Sequence, residues 1–332
     1  MSFPVADLLT RWVVSPFGTA LAVVLTVGYV VALRAGRAQG HRVGVLRTLA
    51  FLGLGVGSLV LATDGGLAAD RGHSFVAAAA QSAVLAAITP VGLALGDPVG
   101  VTRRALGGGV QRLDRVLSGR VARVVMFPLL ASVVATAVHL LLFVTPWLAD
   151  SLRDGWLREA TYAVLLGTGV LFTLPLLADE LVPAWCTAGV RVLIGFADGL
   201  FDAVPGVVVM ASPALLGAPV AAYLAAPDPL WQQRLGGGAM FGIAEAVGLP
   251  LLAATVLAWV RADAREAAAV DARLDAERAL RAPRAGDGGG DVTVPVRGAV
   301  APAQAAAEAA EPVLDRPWWE TDPRFAHRRP RP

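Results

Sequence analysis

Hydrophobic positions in this chain fall in long unbroken runs, not in the alternation of a half-buried strand or the stripe of a surface helix. The runs cover residues 13–33, 43–62, 75–95, 124–146, 161–177, 192–210 and 239–260. Each approaches the roughly 20 apolar residues needed to cross a bilayer. The pattern predicts an all-α, polytopic membrane helix bundle of about seven transmembrane helices. The first run is too long for a signal-peptide core and lacks a basic lead, so it reads as a spanning helix. Residues 214–226, broken by Gly217 and Pro219, are too short to cross and read as an interfacial or re-entrant piece.

Details within the runs sharpen this picture. Arg47 lies near the start of the second, where its guanidinium can snorkel to the interface, and Gly53 and Gly57 form a small-residue pair expected to pack against a neighbour. The last run opens on Gly236-Gly-Gly, carries Glu245 deep inside, and leaves through Trp259 into a string of arginines. A lone acid at that depth costs about 2.5–3.5 kcal/mol and usually faces a bundle interior. The other spans are therefore expected to form the bundle that Glu245 faces.

Composition agrees: 56% of the 332 residues are hydrophobic and 16% charged, outside the soluble range. All 28 basic residues are arginine, which with abundant Ala, Gly and Val suggests a high-GC, actinobacterial-like genome. A net charge of +2 gives no ground for a nucleic-acid partner. With the N-terminus outside, the inner segments hold fourteen arginines and the outer ones five. The positive-inside rule then puts the C-terminus in the cytoplasm of a bacterial inner membrane, with the lipid bilayer as first partner. The expected organisation is a short extracytoplasmic N-terminus (1–12), a seven-helix membrane domain (13–260), a cytoplasmic helix (261–281) and a disordered, Pro/Gly/Ala-rich tail (282–332). That tail ends near Trp318-Trp319, either a docking or surface anchor or an incidental feature.

Candidate chemistry is sparse. No nucleophile–base pair, phosphate loop, dinucleotide fingerprint or H-E-x-x-H pattern appears, so an ordinary enzyme is not expected and no catalytic residue is assigned. The lone Cys186 provides neither a disulfide framework nor a CxxC motif. What remains is a set of polar groups at membrane depth: Gln81, His139, Asp198, Asp202 and Glu245. Asp198 and Asp202 are four residues apart and share a helical face. These groups could bind a cation or relay protons, or stay neutral and hydrogen-bonded. His139 is read either as a ligand or as a helix–helix hydrogen bond, and Met126, Met210 and Met240 either as soft ligands or as packing.

Several ordered elements resemble the CtaG family of cytochrome c oxidase assembly factors, the caa-type-oxidase group of seven-helix membrane proteins. They are Leu46-Arg-Thr-Leu-Ala-Phe-Leu-Gly-Leu with Leu61-Ala-Thr; Thr89-Pro, Leu95-Gly-Asp-Pro-Val and Arg104-Ala-Leu; Thr145-Pro, Phe172 and Pro175; and Leu235-Gly-Gly-Gly, Phe241-Gly, Glu245 and Trp259 with Asp263 and Glu266. The similarity runs from about residue 47 to residue 275. It implies a role in assembling a respiratory haem-copper oxidase, with oxidase subunits or a copper-delivery protein as partners. The departures are as informative. The family's HxxQH element reads Ala78-Ala-Ala-Gln81-Ser82 here, its closely spaced fifth-helix histidines read Arg158, Tyr162 and Val164, and its FHAFFG reads Phe201-Asp202-Ala-Val-Pro-Gly206. The resemblance implies copper, yet most of the implied ligand positions are replaced, so no metal residue is assigned. The expectation is a scaffold or partner-binding protein with a lost or altered copper site. The alternative is a transporter or proton-coupled cation carrier using Asp198, Asp202 and Glu245; a third reading is a copper chaperone with an altered site drawing on Met210, Met240 and His139.

Overall fold

A computed structural model describes residues 10–106, 128–177 and 188–281. Met126, Cys186 and the tail 282–332, with Trp318-Trp319, lie outside the described residues. The described chain is all helical: α1 (Pro16–Ala38), α2 (Val45–Asp70), α3 (Phe75–Leu106), α4 (Pro128–Val144), α5 (Trp147–Arg153), α6 (Gly155–Leu177), α7 (Ala188–Ala211), α8 (Ala221–Leu224) and α9 (Pro229–Arg281). Among the described residues five helices are long and apolar enough to cross a membrane, or six if α4 and α5, bent by 71°, count as one. α6 is a further long apolar helix of 23 residues, with Arg158 and Glu159 in its first turns. The chain divides into two units, Met1–Val260 and Arg261–Pro332.

Caps fix where the helices start. Ser15 caps α1, its Oγ accepting the Gly18 N–H at 3.0 Å, with Pro16 at the first helical position. Two buried or half-buried carboxylates hold this corner. Asp64 accepts from the Ser15 N–H (2.9 Å) and the Thr19 hydroxyl (2.7 Å), and Glu159 accepts from the Ser15 hydroxyl (2.5 Å). Along α1, Val23, Val24, Val27 and Val31 are exposed while Ala22, Tyr29 and Leu33 are buried. One face of the helix is thus left for lipid.

The most enclosed span is α3, with 67% of its apolar window buried, whereas none of the window of α9 is. The bundle is therefore built around the third span, not around the last. Its small, uncharged residues allow this: Ala78, Ala79 and Ala83 are buried, and α2 and α6 pack closely against it. At Gly92 an added Cβ would meet the Gly55 backbone N at 2.3 Å. The packing glycine of α2 is thus Gly55; Gly53 has nothing within 4 Å. Residues Ala50–Val56 are wound as a π-helix, and its wider turn breaks the four-residue spacing that pairs Gly53 with Gly57.

A second π-helical stretch, Val84–Ile88, precedes Pro90 in α3. Proline has no N–H and its ring crowds the carbonyl four residues back, which is that of Ala86. Gly169 of α6 comes in at that spot: a Cβ there would lie 2.1 Å from the Ala86 oxygen. The expected short piece 214–226 shrinks to α8 and is tied down by buried Gln233. Its Oε1 accepts from the Leu216 N–H (2.8 Å), and its Nε2 donates to the Ala214 carbonyl (3.1 Å). The glycine run of α9 also packs closely, Gly236 onto the Phe75 ring and Gly237 onto the Gly206–Met210 backbone.

Candidate functional site

The five candidate residues fall into two groups, with His139 apart from both. The acidic group joins α4, α7 and α9. Asp198 is buried at 8% exposure and its Oδ1 accepts a 2.6 Å hydrogen bond from the hydroxyl of Ser132, itself fully buried. One turn along α4, Thr136 donates to the Phe201 carbonyl at 3.1 Å. Asp202 is the common electrostatic neighbour of Asp198 and Glu245. Asp202 and Glu245 are half-buried. Asp202 of α7 thus stands between Asp198 of the same helix and Glu245 of α9 as the neighbour of each. Acids at this depth cost too much to face hydrocarbon unpaired.

His139 is buried, its Nδ1 3.1 Å from the Ala135 carbonyl of its own helix, and the Ser82 backbone of α3 lies within hydrogen-bonding reach of the ring. That arrangement links two helices. Met240 is buried and Met210 exposed. Among the described residues no group of three or more His, Cys, Asp and Glu is placed to hold a metal ion.

Gln81 belongs to a second group, at the opposite end of α3 from Pro98–Leu106. Its Nε2 donates to the Ala62 carbonyl (2.6 Å) and to the Tyr162 hydroxyl (3.0 Å). The same hydroxyl accepts from Arg71 Nη1 at 3.1 Å, and Arg71 Nη2 donates to the Ser151 hydroxyl at 2.8 Å. Arg71 is only 5% exposed, and its guanidinium carbon lies 5.3 Å from the Tyr162 ring centre. Tyr223 donates to the Arg71 carbonyl, and burial raises its pKa, which keeps it a donor.

Arg71, Ser151 and Tyr223 did not stand out in the sequence. Arg71 reads there as a topological charge in a short link between two spans, and its partners lie 80 and 91 residues away. The one available signal was an arginine beside the apolar Leu67-Ala68-Ala69, all of them enclosed or nearly so.

This second group decides whether copper fits. The positions implied to hold imidazoles now carry Ala78, Ser82, Arg158, Tyr162, Val164 and Asp202. Ser82 spends its hydroxyl on the Ala79 carbonyl at 2.8 Å. Tyr162 is occupied by a buried guanidinium, whose positive charge opposes a cation in the same low-dielectric space. The residues present do not fit a copper ion there.

A family model described as cytochrome c oxidase caa3 assembly factor matches residues 27–262. Two curated relatives, uncharacterized proteins of Mycobacterium bovis and Mycobacterium tuberculosis, are each 28% identical over 286 residues, covering 83% of this chain and 43% of their own. The chain thus spans less than half the length of the curated relatives it matches. No solved structure matches it.

Proposed function

The chain belongs to the cytochrome c oxidase caa3 assembly factor family, and from that premise we propose that it supports assembly of a respiratory haem-copper oxidase as a membrane scaffold that binds a partner. In this reading it does not carry copper at the family's imidazole positions. The observation that carries it is the Arg71–Tyr162–Gln81 cluster, in which one of the implied imidazole positions, Tyr162, accepts a hydrogen bond from a buried guanidinium. A buried guanidinium bonded to Tyr162 opposes a copper ion in the same low-dielectric space.

The proposal includes the arrangement that arginine bias favours: a bacterial inner membrane, the C-terminal side in the cytoplasm, and residues 261–281 as a cytoplasmic helix available to oxidase subunits or a copper-delivery protein. Gene deletion tests the role. Haem-copper oxidase activity should fall and should not return when copper is added. Rescue by copper alone would point to metal delivery instead, and an unaffected oxidase would end the assembly reading.

A second reading is favoured by Asp202 standing as electrostatic neighbour to both Asp198 and Glu245, acids of the kind a proton or cation path would use. Proteoliposome flux comparing the parent with Asp202→Asn tests it. Flux in the parent that the substitution abolishes supports a carrier, and flux in neither removes it.

A further inference from the structure

Arg71 also forms part of the wall of a cavity of about 490 Å³ that the proposed scaffold role leaves unused. Burying a guanidinium is costly unless a carboxylate compensates it. Among the described residues Arg71 has none: its two Nη atoms donate to neutral hydroxyls, and its Nε is buried with no partner. Arg153 and Arg158 line the same cavity, and among the described residues no carboxylate does. Those two arginines have partners just outside, Asp150 and Glu159, each at 3.1 Å. The uncompensated charge at the wall is therefore that of Arg71. Val14 and Val220 give the rest of the lining an apolar character suited to a chain or glycerol backbone.

Depth follows from the tryptophans. Trp12, beside the lining residue Val13, is 56% exposed, and Trp156, between Arg153 and Arg158, is 83% exposed. Exposed tryptophans of membrane proteins collect at the headgroup level. A cavity with three guanidiniums at that level matches the geometry and charge of a phosphate, which arginine recognises through paired N–H donors.

We propose that the cavity walled by Arg71, Arg153 and Arg158 binds a phosphate group, carried by an anionic phospholipid headgroup or present as inorganic phosphate. The site is separate from the acidic group of α7 and α9 and does not depend on the assembly reading.

The purified full chain in detergent is titrated with phosphatidylglycerol, with phosphatidylcholine and with inorganic phosphate, and followed by thermal melting and by native mass spectrometry of retained adducts. Phosphatidylglycerol should stabilise the chain and be retained in preference to phosphatidylcholine. Arg71→Gln and the double variant Arg153→Gln/Arg158→Gln should each weaken that binding about tenfold or more. Should Arg71→Gln fail to fold, the double variant decides, since its side chains are more exposed. Stabilisation by phosphate alone that the same variants weaken identifies a soluble anion and upholds the site. Equal binding of both lipids without a phosphate effect, or double-variant binding equal to the parent, overturns it.

Discussion

Replacing Tyr162 by Phe removes one oxygen from the centre of the Arg71 cluster and leaves the ring in place. That hydroxyl accepts two hydrogen bonds, from Arg71 Nη1 at 3.1 Å and from Gln81 Nε2 at 3.0 Å. Gln81 keeps its bond to the Ala62 carbonyl and Arg71 keeps Ser151, so each donor group loses one of two partners. A bond to a charged group contributes about 1.5–3 kcal/mol and a neutral one about 0.5–1.5, so the loss should be about 2–4.5 kcal/mol. The ring's attraction for the guanidinium survives the change and keeps the figure from rising further. Reversible unfolding in mixed detergent micelles measures it. Tyr162→Phe and Ser151→Ala should also be non-additive, because both support one guanidinium. A Tyr162→Phe variant within about 0.5 kcal/mol of the parent would refute the idea that the Tyr162 hydroxyl holds this cluster together.

Three other outcomes follow from the same geometry. Restoring imidazoles as Ser82→His/Tyr162→His should leave copper affinity weak while Arg71 remains, and adding Arg71→Gln should raise it, as read by competition with a copper chelator; equal affinities would count against electrostatic exclusion. Gly169→Leu should separate α3 from α6, since even its Cβ would fall 2.1 Å from the Ala86 oxygen, and the folded yield by size-exclusion chromatography should drop sharply. Asp97 holds φ +51 and accepts from the Gly100 N–H at 3.0 Å. Asp97→Ala should therefore cost about 1 kcal/mol of cap, and Asp97→Asn, which tolerates this backbone and keeps a cap but gives up the ion pairs with Arg47 and Arg104, should cost less by the same unfolding measurement.

The helices were largely legible because uninterrupted apolar runs have few other fates. Pro16 and Ser74 mark helix starts by their own chemistry, Asp97 caps the last segment of α3, Pro98–Leu106, and the bend after Val144 coincides with Thr145-Pro146. The centre of the bundle was less legible. Glu245 draws the eye to α9, yet a buried span is marked by what it lacks, and the alanines of α3 are an inconspicuous signal. The pairing of Gly55 with Gly92 depends on a π-helical turn that no residue pattern announces. In the candidate site, the shared face of Asp198 and Asp202 follows from helical spacing alone. The partners Ser132 and Glu245 come from other helices and needed the fold. Arg71 was hidden for the same reason: its meaning resides in hydroxyls far along the chain.

Copper content of the purified full chain, produced in copper-supplemented cells and measured by plasma mass spectrometry after dialysis against a mild chelator, tests the central claim most directly. A scaffold whose imidazole positions are replaced, with Tyr162 bonded to the buried Arg71, should retain only traces. Stoichiometric copper that survives dialysis and is lost on Asp202→Asn or on removal of His139 would contradict it.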